Sequence, residues 1–163
     1  MSEEHLVELV QPLVDGETVL GAGVFQPRGT SGTMGASFGA GAATNSMVGM
    51  AIGTLGVLGA GQATAAVEHE PRWTIVAVTP TRVLAFEGVT QHVGWKPGIR
   101  YAEFDRAHLA VTIHGRVNVR VMILEDLSDH RRLELETARF GPQHGTVVTH
   151  LLADEHDGAD AEA

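Results

Sequence analysis

Residues 73–88 read WTIVAVTPTRVLAFEG. Two β-branched, apolar runs, Trp73 to Val78 and Val83 to Phe86, flank the tetrapeptide Thr79-Pro80-Thr81-Arg82. Pro80 pre-sets the backbone for the second position of a turn, so the stretch predicts an antiparallel hairpin. Working outward, residues 18–27, TVLGAGVFQP, predict a strand that ends near Pro27. On the other side, residues 88–104 are punctuated by glycines and Pro97 and leave room for one strand near Ile99 to Phe104. Leu109, Val111 and Ile113 then alternate with Ala110, Thr112 and His114. After Gly115 and Arg116, Val117, Val119, Val121 and Ile123 alternate with Asn118, Arg120, Met122 and Leu124. A period of two places one set of side chains on a core and the other on solvent. RRLELET, residues 131–137, repeats it with Leu133 and Leu135 inward and Glu134 and Glu136 outward.

Both termini change period. Leu6, Val10 and Leu13 recur at helical spacing within residues 3–14, with Ser2 placed to cap ahead of Glu3 and Glu4. Pro12 works against the end of that helix, because proline lacks the amide donor. Val147, Val148, Leu151 and Leu152 form a second helical set. The order is about seven antiparallel strands and then one helix, a mainly β (α+β) arrangement that can close as a barrel plugged by the helix. Strands and terminal helix are expected to supply nearly all of the core.

The order of elements together with Thr79, Arg82, Leu84 and Phe86 resembles the pleckstrin-homology-like (PH-like) and GRAM-like domains of bacteria, actinobacteria in particular. In those, an aliphatic strand runs into a Thr-x-x-Arg turn and a second strand ends in Phe. The likeness spans roughly Glu17 to Leu152 and implies a split barrel of seven strands with a C-terminal capping helix. It implies little about activity, because the fold hosts lipid binders, peptide binders and oligomerising scaffolds. Phosphoinositide-binding members of the family place several Lys and Arg in the first hairpin loop, since a multiply charged headgroup takes charge-assisted hydrogen bonds. Here that loop has only Arg28 at its entrance and Glu68 at its exit, which argues against phosphoinositide recognition.

At 163 residues the chain predicts one domain. Its formal charge of −9 is carried by the ends: five acids and no Lys or Arg in residues 1–20, and five more acids in residues 154–163. The final segment lacks large apolar side chains and is read as a disordered acidic tail. The near-neutral body and acidic ends argue against a nucleic-acid partner. No cysteine is present, which removes disulfides, thiolate catalysis and Cys-type zinc sites and agrees with a cytoplasmic protein. The first ten residues have neither the basic start nor the apolar run of a signal peptide.

Residues 29–67 hold no charged residue and ten of the chain's twenty glycines. They form an insert after the first strand, with three readings. As a packed helical hairpin, Gly49, Gly53 and Gly56 make a stripe of small residues beside Val48, Ile52 and Leu55, and Gly35 and Gly39 offer matching spacing in a shorter arm. Such stripes let another backbone approach closely, although each interior glycine costs about 1 kcal/mol of helix stability. As a flexible loop, the insert fits its glycine content but leaves seven large apolar side chains between Met47 and Leu58 in water. As a membrane segment, residues 47–67 have the length to span, but one crossing would divide the strands of a single sheet between two sides of the bilayer. Lipid binding through an insert without a basic residue is expected to be insensitive to salt.

The chemistry-bearing residues form no recognised constellation. Nine histidines include no H-E-x-x-H and no helical i, i+4 pair, and His108 and His114 lie too far apart to chelate one ion unaided. The glycine-rich runs lack the lysine of a phosphate loop, and no serine lies in a G-x-S-x-G elbow. Glu125, Asp126 and Asp129 read as a solvated turn, and Trp73, Trp95, Tyr101 and Phe104 as core or barrel-end packing. No catalytic residue, metal site or cofactor is expected. The sequence points to a non-enzymatic interaction module that self-associates or holds a protein partner through its insert. A peripheral membrane protein dipping residues 47–67 into lipid is the alternative.

Overall fold

The computed structural model describes residues 2–30, 71–115, 118–138 and 145–159, with side chains of the last helix described to Ala153. Two helices and seven strands are present among them: α1 (Glu3–Val10), β1 (Gly21–Pro27), β2 (Thr74–Val78), β3 (Arg82–Thr90), β4 (Trp95–Asp105), β5 (Leu109–Gly115), β6 (Val119–Asp126), β7 (Arg132–Ala138) and α2 (Thr146–Ala159). Short 3-10 turns follow α1 (Gln11–Leu13) and β4 (Arg106–His108). All pairings are antiparallel, in the order β4-β3-β2-β1-β7-β6-β5, so the sheet is open between β4 and β5. β1 joins its two halves: Gly21 to Phe25 pair with β2, while Gln26 and Pro27 pair with β7.

Burial has two sides in the four-stranded half, and this corrects the expectation that strands and terminal helix supply nearly all of the core. All five residues of β2 are buried. Val76 and Val78 face inward with Phe25, Val83, Ala85 and Phe104, meeting Met122, Leu124, Leu133 and Leu135 of the three-stranded half and Val148 and Leu152 of α2. Ile75 and Ala77 face the other way, with Ala22, Val24, Leu84 and Phe86, and Leu6 and Val10 of α1 cover them. A strand buried on both faces is apolar at consecutive positions, which is why TIVAV does not alternate. On the inner face, a Cβ at Gly21 would lie 2.7 Å from both Leu151 Cδ1 and Val147 Cγ1. Glycine there lets α2 sit directly on β1.

Other expectations need smaller corrections. α1 ends at Val10 and continues as a 3-10 turn through Leu13, since Pro12 has no amide to donate into the α-helical ladder. β4 is eleven residues long and begins at Trp95, well before Ile99. It is an edge strand, where Pro97 and Gly98 are tolerated, and two register shifts against β3 absorb the irregularity. In β6 the core face belongs to Met122 and Leu124 rather than to Val121 and Ile123, because Met122 pairs with Leu135 and Leu124 with Leu133. Glu136, expected outward in solvent, is 4% exposed.

Candidate functional site

The interaction residues expected from sequence, Gly35, Gly39, Val48, Gly49, Ile52, Gly53, Leu55 and Gly56, lie outside the described residues. What is described is how their segment is attached. Phe25 pairs with Thr74, so the chain leaves β1 and re-enters β2 on neighbouring strands, about 4.8 Å apart. On the outgoing side Gly29, at φ 93°, donates its amide to Glu136 Oε2 at 3.0 Å, and the Arg28 amide donates to the Glu134 carbonyl at 3.1 Å. The Arg28 guanidinium also pairs with the Glu134 carboxylate, and Thr30 Oγ1 donates to the Pro27 carbonyl. These contacts explain why Glu136 is buried: it satisfies a backbone donor where the chain turns off the sheet.

On the returning side the Trp73 carbonyl accepts the Gly88 amide at 2.7 Å. A Cβ at Gly88 would lie 2.8 Å from Trp73 Cβ, so glycine makes the approach feasible. The Trp73 ring packs on Trp95 with centroids 5.3 Å apart at 56°, and Thr74 Oγ1 shares a 2.7 Å hydrogen bond with Tyr101. The aromatic residues therefore serve packing, as the sequence implies.

At the opposite end of the four-stranded half lies a polar clamp. Thr79 Oγ1 accepts the Arg82 amide and the Thr79 amide donates to the Arg82 carbonyl, closing the tetrapeptide turn. Arg82 then reaches Glu17 Oε1 at 2.6 Å and Glu103 Oε1 at 3.0 Å, and Arg100 pairs with Glu103 and Asp15. Hydroxyl hydrogen bonds from Thr79 and Thr81, with the Arg82 guanidinium, hold the Glu17 carboxyl at about 2, well below the ordinary 4.5. Glu103 and then Glu17 push the Arg82 guanidinium further up. A second clamp replaces the expected solvated turn at Asp126, which is 4% exposed. The Ser128 hydroxyl and amide, with Arg131 beside them, hold its carboxyl below the usual range. Such closed sets of charge-assisted hydrogen bonds fix turns.

Sequence reasoning missed the β3–β4 hairpin tip. Gly88 to Thr90 pair with Pro97 to Trp95, beyond the Thr74–Glu87 pair that begins β2. This projecting end carries Val89 at 37%, Val93 at 84% and Ile99 at 75% exposure. The signal was present as three large aliphatics among the turn formers of residues 88–99. Among the described residues no group of three His, Asp or Glu side chains could hold a metal ion. None of the described helices is long and apolar enough to cross a membrane. The chain matches no protein-family model, curated protein or solved structure.

Proposed function

We propose that the chain is a non-enzymatic, PH-like interaction module that self-associates, or holds a protein partner, through its Gly-rich apolar insert. The observation that carries this reading is the attachment: residues 28 and 73 leave and return on paired strands, each fixed by its own contacts. The insert is thus an excursion added to a sheet whose order runs straight from β1 to β2. Four strands, three strands and a helix on the shared inner face agree with the split barrel that the resemblance implies. The two best-developed charge clusters, around Arg82 and Asp126, close turns.

Light scattering on a size-exclusion column tests this with the full chain and a variant in which a short turn replaces residues 31–70. The full chain is expected to run as an assembly and the shortened one as a folded monomer with unchanged near-ultraviolet circular dichroism. Equal protomer counts for the two would overturn self-association through the insert.

A further inference from the structure

We infer that the β3–β4 hairpin tip is a membrane-contacting element: it dips Val89, Val93 and Ile99 into the interfacial layer of an anionic bilayer, with Lys96 at the headgroups. Three features meet at this end of the four-stranded half. The three aliphatics include the two most exposed large apolar side chains among the described residues. Lys96, the chain's only lysine, pairs directly across from Val89 and is exposed. Both tryptophans of the chain pack on each other here, Trp73 from the hairpin's base and Trp95 from the last pair before its turn, and the Trp95 indole Nε1 is buried without a hydrogen-bond partner. Among the described residues the other exposed charges near the tip are Arg72, Glu87 and Arg100, the last paired with Asp15 and Glu103, so this described set keeps a small basic excess in a chain whose formal charge is −9.

Area and shape select lipid over a protein. Three aliphatic side chains offer roughly 300 Å² at most, against about 800 Å² per partner in a stable protein interface. The tip is a projection rather than a groove, and shallow insertion of an apolar projection beside a basic residue is a mode that bilayer interfaces reward. The opposite end of the same strands carries Asp15, Glu17, Glu103 and Asp105 against Arg82, Arg100 and Arg106, an excess of one acid among the described residues. That asymmetry orients the molecule tip-first toward an anionic surface. The insert plays no part in the inference, which stands or falls separately from self-association.

The tryptophans report the contact directly. Full-length protein is mixed with vesicles of phosphatidylglycerol and phosphatidylcholine bearing brominated acyl chains, and tryptophan emission is followed. Quenching is expected, stronger with phosphatidylglycerol than with phosphatidylcholine alone and reduced by salt. The V93D/I99D double variant should bind at least tenfold more weakly with unchanged circular dichroism. Lys96→Gln should weaken binding and flatten its salt dependence, which an uncharged insert acting alone would not show. Should the double variant fail to fold, Val93→Ser at the turn itself gives the same reading. Absence of quenching, quenching that survives V93D/I99D, or loss of assembly mass without any vesicle binding would each overturn the inference; the last would make the tip a protein interface.

Discussion

Arg82 spans two carboxylates from different parts of the chain, and the physics of the Thr79–Arg82 turn follows from that. The folded Glu17 carboxyl titrates at about 2 against the ordinary 4.5. A depressed folded pKa contributes stability that is full above the unfolded value and lost as pH falls toward the folded one. Glu17→Gln is therefore expected to lower the urea midpoint at pH 7, with the gap to wild type closing between about pH 4.5 and pH 2. A gap that persists at pH 2 would assign the effect to shape rather than charge. Gly21 poses a steric case, since any Cβ there meets Val147 and Leu151 of α2. Gly21→Val should cost about 1–3 kcal/mol through overpacking, read as a lower denaturation midpoint together with faster amide exchange in α2. Of these features the turn was legible, because Thr79, Pro80 and Arg82 act locally. Glu17 as its partner was not, since sixty-five positions separate it from Arg82 and spacing carries no information across a fold.

Element by element, legibility followed the amount of context each strand required. Although β3 runs on to Thr90, the β2–β3 hairpin read correctly as far as Phe86, because β-branched runs around a proline turn are a local signal. What covers the second face of β2 did not, since an apolar run is compatible with any partner; the answer is α1, through Leu6 and Val10. β4 was truncated in the reading because Pro97 and Gly98 are loop formers except at a sheet edge, where the structure puts them. In β6 both parities are apolar, so sequence could not choose between Val121 with Ile123 and Met122 with Leu124; pairing with β7 decides it. The role of α1 makes a direct prediction. Leu6 is fully buried between the helix and the four-stranded half, so Leu6→Ala should cost about 2–5 kcal/mol. Denaturant titration followed by tryptophan emission would measure it, because Trp73 and Trp95 border that cluster. A change under about 0.5 kcal/mol, the range of ordinary surface substitutions, would mean α1 is an accessory rather than part of the core.

At the scale of the whole molecule, the four-stranded half separates two kinds of chemistry. Paired charges close one end, around Glu17, Arg82 and Glu103, and the insert and the β3–β4 tip leave from the other. A sheet already fixed at its charged end can carry a long excursion at low cost, because loop-closure entropy grows only logarithmically with length. What the excursion does is tested by one residue, Gly53, in the proposed stripe with Gly49 and Gly56. Leucine exceeds glycine in helix propensity by roughly 0.8 kcal/mol, so Gly53→Leu favours a helix there. If that stripe meets another backbone, the added side chain must push it away at about 1–3 kcal/mol, and assembly mass should fall toward the monomer. If the insert instead enters lipid, the extra apolar surface should strengthen vesicle binding, with assembly mass unchanged. Light scattering and vesicle sedimentation of the same sample distinguish these results. Assembly mass and vesicle binding both equal to wild type would sink the packing stripe and leave residues 29–67 as a tether between two strands.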